Sequence, residues 1–155
     1  MFKSQLDRTS EQNIINMLSD HGQITNDQLT KIKKGSPEIG KTELETAFEF
    51  KFTDEDKILN TLASTYSLEI INLKEKKIDE ENLEILSLRF LQANQVAPFE
   101  VTDTLLKVSI PDGSKLSLIR SIENMSGKKV EIFASKLTDI SNFIEKLEKE
   151  IKAGE

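Results

Sequence analysis

The sequence predicts an α+β fold. A helical N-terminal lobe of short repeated helix pairs, residues 1–73, precedes a small α/β lobe, residues 74–155, with a β-hairpin, a third strand and two packing helices. Three observations predict it. All four valines (Val96, Val101, Val108 and Val130) lie between residues 96 and 130, while the first 90 residues use Ile, Leu and Phe at helical spacings. A helix-start signal at Thr25 recurs 28 residues later at Thr53. From Val96 onward, short apolar runs bounded by turn residues alternate with amphipathic stretches.

In the first lobe, Ile14, Ile15 and Leu18 form one apolar stripe that His21-Gly22 ends, because glycine readily takes the left-handed conformation that closes a helix. The run from Ile24 to Leu29 starts a second helix. Thr25 is its N-cap, Gln28 closes a capping box, and Ile24 packs on Leu29 as a hydrophobic staple. This helix is expected to reach about Lys34, where Gly35-Ser36-Pro37 breaks it. A third helix of about ten residues follows Gly40, carrying Leu44, Ala47 and Phe48. A fourth starts at Thr53 as N-cap, with acidic residues suited to the helix dipole, and buries Ile58, Leu59, Leu62 and Tyr66.

Leu68 to Leu73 reads as an extended exit from the lobe, and Lys74-Glu75-Lys76-Lys77 as a solvated connector and the domain boundary. Glu80 to Leu91 has Leu83, Leu86 and Phe90 at helical spacing. The runs Val96–Val101 and Leu105–Ile110, joined by Thr102-Asp103-Thr104, are close enough to pair as a hairpin with Pro98 near an edge. A helix through Leu116, Leu118, Ile119 and Ile122 ends at Gly127, and Val130–Phe133 forms the third strand. Ser135 or Thr138 then caps a last amphipathic helix through Ile140, Phe143, Ile144, Leu147 and Ile151.

Composition removes whole classes of function. The net charge of −6 is spread over both halves, so neither offers the basic footprint of a nucleic-acid binder. The absence of cysteine excludes disulfides, thiolate chemistry and cysteine-held metals and suits a reducing compartment, so cytoplasm is expected. No stretch has the length of a signal-peptide core or a membrane span, so any membrane association goes through a partner.

No catalytic, cofactor or metal residues emerge. Gly127-Lys128-Lys129 lacks the first glycine and the hydroxyl of a P-loop and reads as a helix stop. His21, the only histidine, reads as an exposed helix-end residue. Asp54-Glu55-Asp56 and Asp79-Glu80-Glu81 read as first helical turns, and the alternating charges from Glu145 to Glu150 as the wet face of a helix. Phe48, Phe50 and Phe52 alternate with Glu49 and Lys51 where the third helix meets the fourth. On one helix Leu44, Ala47 and Phe48 share a face that Phe50 does not, so one aromatic surface is left partly exposed. Leu44, Phe48 and Phe50 are therefore the candidate partner-binding residues, since aromatic anchors concentrate binding energy.

Several motifs in order resemble one family. They are Gly22-Gln23-Ile24-Thr25 with Gln28-Leu29, Phe52 to Asp56 leading to Leu68–Leu73, Ser87-Leu88-Arg89-Phe90-Leu91 before the hairpin, and Ser126 to Val130 before the last strand. From about Asn13 to about Leu147 the chain resembles the N-terminal domain of the assembly ATPases of type II secretion and type IV pili, the MshE-type N-terminal domain, the secretion branch above all. The resemblance implies a non-catalytic module that docks an ATPase on the cytoplasmic domain of an inner-membrane platform protein, peripheral to that membrane. The family's ATPase engine is not in this chain, which is then a piece of a longer protein or a freestanding relative. Some relatives bind cyclic di-GMP through a repeated Arg-Leu-Gly motif; a divergent receptor of that kind is the alternative reading. Here Asn13, Ile14 and Ile15 stand at those positions, and in the second copy Glu38 precedes Ile39-Gly40 while Phe50 replaces the loop glycine. A neutral amide and a branched side chain supply neither cation nor close backbone approach, so cyclic di-GMP is not expected to bind.

Overall fold

The computed structural model describes residues 2–79, 82 and 84–154. Each helix of the N-terminal half begins at a side-chain cap. Helix α1 (Arg8–Asp20) starts where Asp7 accepts the Ser10 amide, and it places Ile14, Ile15 and Leu18 in the core. Gly22, at φ +72°, reverses the chain after it. Helix α2 (Asn26–Ile39) opens with the expected Thr25–Gln28 capping box, and α3 (Glu43–Glu49) with a second box, Thr42 and Glu45, that sequence reading missed. Helix α4 (Glu55–Tyr66) presents Ile58, Leu59 and Leu62 to the interior.

Three boundaries in this half differ from expectation. Helix α2 passes through Gly35-Ser36-Pro37 and stops only at Gly40, whose φ is +68°. Pro37 lies in the last turn, where its missing N–H costs a single hydrogen bond, and the Ser36 carbonyl and hydroxyl close the end onto Gly40 and Lys41. Helix α3 has seven residues rather than about ten, because Phe50 already caps it. Asp54, not Thr53, caps α4 by accepting the Lys57 amide. The helix pair therefore repeats with a 29-residue period, Thr25 matching Asp54 and Gly22 matching Lys51. Thr53 then occupies the place of Ile24, buried with its hydroxyl unpartnered among the described residues.

After α4 the chain runs extended. The Ile71 amide donates to the Ala134 carbonyl and the Ala134 amide to that of Glu69, so this exit bridges to the end of the third strand. A 3-10 turn (Leu73–Glu75) follows. The single helix expected over Glu80–Leu91 is interrupted at Ile85-Leu86-Ser87, while Glu80 and Leu83 lie outside the described residues. Ser87 accepts the Phe90 amide and so starts a fresh helix, α5 (Leu88–Asn94).

Strands β1 (Ala97–Val101) and β2 (Leu105–Ser109) pair antiparallel with a bulge at Phe99, and β3 (Lys129–Phe133) pairs parallel to β2 in the order β1-β2-β3. Pro98 is thus on an edge strand, where no ladder partner needs its missing N–H. Helix α6 (Leu116–Ser126) makes the crossover and ends at Gly127, φ +70°; α7 (Leu137–Ala153) follows β3. Leu106, Val108 and Val130 are buried in one cluster with Ile122, Ile140, Phe143, Ile144 and Leu147, so both helices serve one face of the sheet. The opposite face carries a Glu100–Lys107 ion pair at 2.9 Å and an edge-to-face contact of Phe99 with Phe133. The hydrogen bond from Lys107 to Glu100 holds the ammonium pKa above its ordinary value.

The expected cap of α7 is also corrected. Ser135 is buried against Ser109, and Lys136 at the cap position makes no capping bond. Glu55 of α4 performs the task, accepting the Thr138 amide at 2.7 Å and its hydroxyl at 2.8 Å. Leu137 packs into the helical cluster of Ile14, Ile15, Leu18 and Leu44, and Ala134 packs with Met17, Leu59 and Leu62. Asn13 adds a polar tie, donating to Asp112 after β2 at 2.8 Å.

Candidate functional site: an aromatic groove between helices α2 and α3

The segment Phe50-Lys51-Phe52 closes α3. The Phe50 amide reaches the Thr46 carbonyl, and the Phe52 amide reaches back to Ala47 at 2.9 Å. That last bond spans the reversal made by Lys51 at φ +61°, a left-handed conformation that a non-glycine residue adopts at a cost. The reversal brings both rings to one side, their centroids 5.7 Å apart and their planes at 72°. Such an edge-to-face pair stabilises itself beyond its burial.

Phe50 rests on α2 at Gly35. A Cβ there would stand 2.5 Å from Phe50 Cζ, so the glycine exists for close approach of the ring. Lys31, Lys34, Gly35 and Glu38 from α2, with Phe50 and Phe52, line a groove of about 460 Å³. Lys31 pairs with Asp27 at 3.1 Å in an exposed contact, while Lys33, Lys34 and Lys51 make no ion pair among the described residues.

The three candidate residues fall in different places. Leu44 is fully buried between α1 and α3 and offers no surface to a partner. Phe48 is half-buried and stacked on Phe2 at 3.9 Å between centroids, beneath an N-terminal arm that the Ser4 amide ties to Glu45. Phe50 alone of the three reaches the groove. Phe52, Lys31, Lys34 and Glu38 complete it and were not singled out as partner-binding. The available signal was the Phe-Lys-Phe step at the point where the first helix pair has Gly22.

The positions relevant to a phosphate ligand are otherwise engaged. Asn13 is bonded to Asp112, Ile15 is buried and Glu38 places a carboxylate in the groove; the loop-glycine position of the second pair is held by Lys51 at φ +61° rather than by Phe50 as expected, and its side chain still denies a bare backbone. His21 is exposed at the end of α1, with Nδ1 2.9 Å from the Met17 carbonyl and Nε2 3.4 Å from the Thr65 hydroxyl. Among the described residues no group of three or more His, Asp or Glu side chains could hold a metal, and no helix is long and apolar enough to cross a membrane.

A family model described as the MshEN domain matches residues 66–154. Among solved structures, MshE with cdg superposes with a TM-score of 0.64 at 17% identity, covering 86% of this chain and 97% of that one. The N-terminal domain of XpsE gives a TM-score of 0.65 at 20% identity, covering 90% and 96%. These likenesses are of fold, and their coverage extends past the family-model match into the N-terminal helices. A search of curated proteins finds no match.

Proposed function

Because the chain belongs to the MshEN domain family, we propose that it is a non-catalytic protein-binding module of a type II secretion or type IV pilus assembly ATPase. In this reading residues 1–73 form the docking lobe and residues 74–155 a supporting lobe. The module attaches its ATPase, on the cytoplasmic side, to the cytoplasmic domain of an inner-membrane platform protein. The observation that carries the proposal is the Phe50–Phe52 pair, two partly exposed aromatic rings held in fixed geometry over Gly35. Rigid aromatic anchors lose little conformational freedom on binding and contribute most of the energy at interfaces. Calorimetric titration with that platform domain is the test. Phe50→Ala should weaken binding by about 2 kcal/mol when measured well below the melting transition, which itself falls because the ring's packing on Gly35 and Phe52 is lost; unchanged binding would sink the proposal.

The second reading, a divergent cyclic di-GMP receptor, is favoured by the likeness to MshE with cdg. Against it stand Asn13, already bonded to Asp112, and the Glu38 carboxylate in the groove. Titration with cyclic di-GMP at micromolar concentration should give no saturable heat.

A further inference from the structure

We infer that the groove receives an acidic segment of a protein partner, with an apolar side chain against Phe50 and Phe52 and carboxylates facing Lys34 and Lys51. This rests on the docking role proposed above and adds the chemistry of the partner.

Charge is the first argument. The chain carries −6 overall, yet Lys31 and Lys34 line the groove from the middle of α2, and Lys51 stands in the turn between Phe50 and Phe52. All three are exposed, and of them only Lys31 has an ion-pair partner among the described residues. Glu38 is the one carboxylate in the lining, so the groove is a local cationic site on an anionic molecule. Such an arrangement attracts acidic partners and repels basic ones.

Net charge is the second, since an anionic leaflet repels a chain at −6 and so disfavours a membrane as the occupant. A free phosphate ligand fits less well, because the Phe50 ring covers the backbone at Gly35 where close approach would be needed.

The probes are a short synthetic peptide alternating glutamate and leucine, its lysine–leucine counterpart, and vesicles containing phosphatidylglycerol. Each is titrated into the full chain while amide shifts are recorded. The acidic peptide should bind saturably, with shifts concentrated in residues 31–38 and 50–52. Phe50→Ala, and separately the pair Lys34→Glu with Lys51→Glu, should each weaken it about tenfold. Lys51→Gly removes the charge and relaxes the backbone, so it guards against loss of fold as the cause. Equal binding of both peptides, shifts centred elsewhere, or vesicle binding without peptide would overturn the inference. The platform domain separates this failure from that of the docking role. If Phe50→Ala weakens its binding and the lysine reversals do not, docking stands and the acidic chemistry falls; if neither does, the docking role falls.

Discussion

The Phe50 ring lies so close to Gly35 that a methyl group on the glycine would stand 2.5 Å from Cζ and 2.6 Å from Cε2. In an ordinary helix interior, alanine in place of glycine stabilises by about 1 kcal/mol. Here Gly35→Ala should instead destabilise by about 1–3 kcal/mol, because the ring must be displaced. In a Phe50→Ala background the same substitution should become stabilising. Denaturant melts of the four proteins form a double-mutant cycle, and additive effects would show that the two residues are not coupled.

Lys51 holds φ +61° at the position where the first helix pair has Gly22 at +72°. Its side chain is exposed, so replacement removes strain without opening a cavity. Lys51→Gly should raise stability by about 1 kcal/mol, and a lower melting temperature would contradict this account of the turn.

Glu55 belongs to α4 yet caps α7 through two bonds to Thr138. Glu55→Ala should cost about 1–2 kcal/mol and speed hydrogen exchange at the first amides of α7 more than at those of α4. Glu55→Gln keeps an acceptor but loses the charge and should fall between. Uniform acceleration across both helices would argue against a cap supplied by a distant residue.

The Glu45 carboxylate feels burial, which pushes its pKa up, but hydrogen bonds from the Thr42 and Ser4 amides outweigh that and hold it below the ordinary 4.5. A carboxylate depressed by folding contributes stability above its unfolded pKa and loses it as pH falls through the folded value. The melting-temperature difference between the natural chain and Glu45→Gln should therefore be constant above about pH 5.5 and shrink below the ordinary value. A difference independent of pH down to 3 would mean that the charge is not what Thr42 and Ser4 stabilise.

Local signals were readable where both partners lie within one turn. The Thr25–Gln28 box, the stops at Gly22 and Gly127, and the hairpin across Thr102-Asp103-Thr104 needed only neighbours in sequence. The misreadings have distant causes. Gly35 resembles a helix breaker until the Phe50 ring is seen against it, fifteen residues on in the chain. The start of α7 lacks a local cap because its acceptor is 83 residues away. Thr53 and Asp54 were both eligible caps; the core took Thr53 and left Asp54 at the helix start. At the candidate site the same limit applied. Three aromatic residues were visible, but which one met a glycine, which met Phe2 and which packed partly buried on the helical core depended on tertiary contacts.

Docking at the Phe50–Phe52 groove is tested by amide chemical-shift mapping during titration with the cytoplasmic domain of the proposed platform protein. Perturbations should gather in Lys31 to Glu38 of α2 and Phe50 to Phe52 of the turn, and Phe50→Ala should abolish this pattern while the protein remains folded. Perturbations gathered on the open sheet face around Glu100 and Lys107, with the groove unchanged, would contradict it.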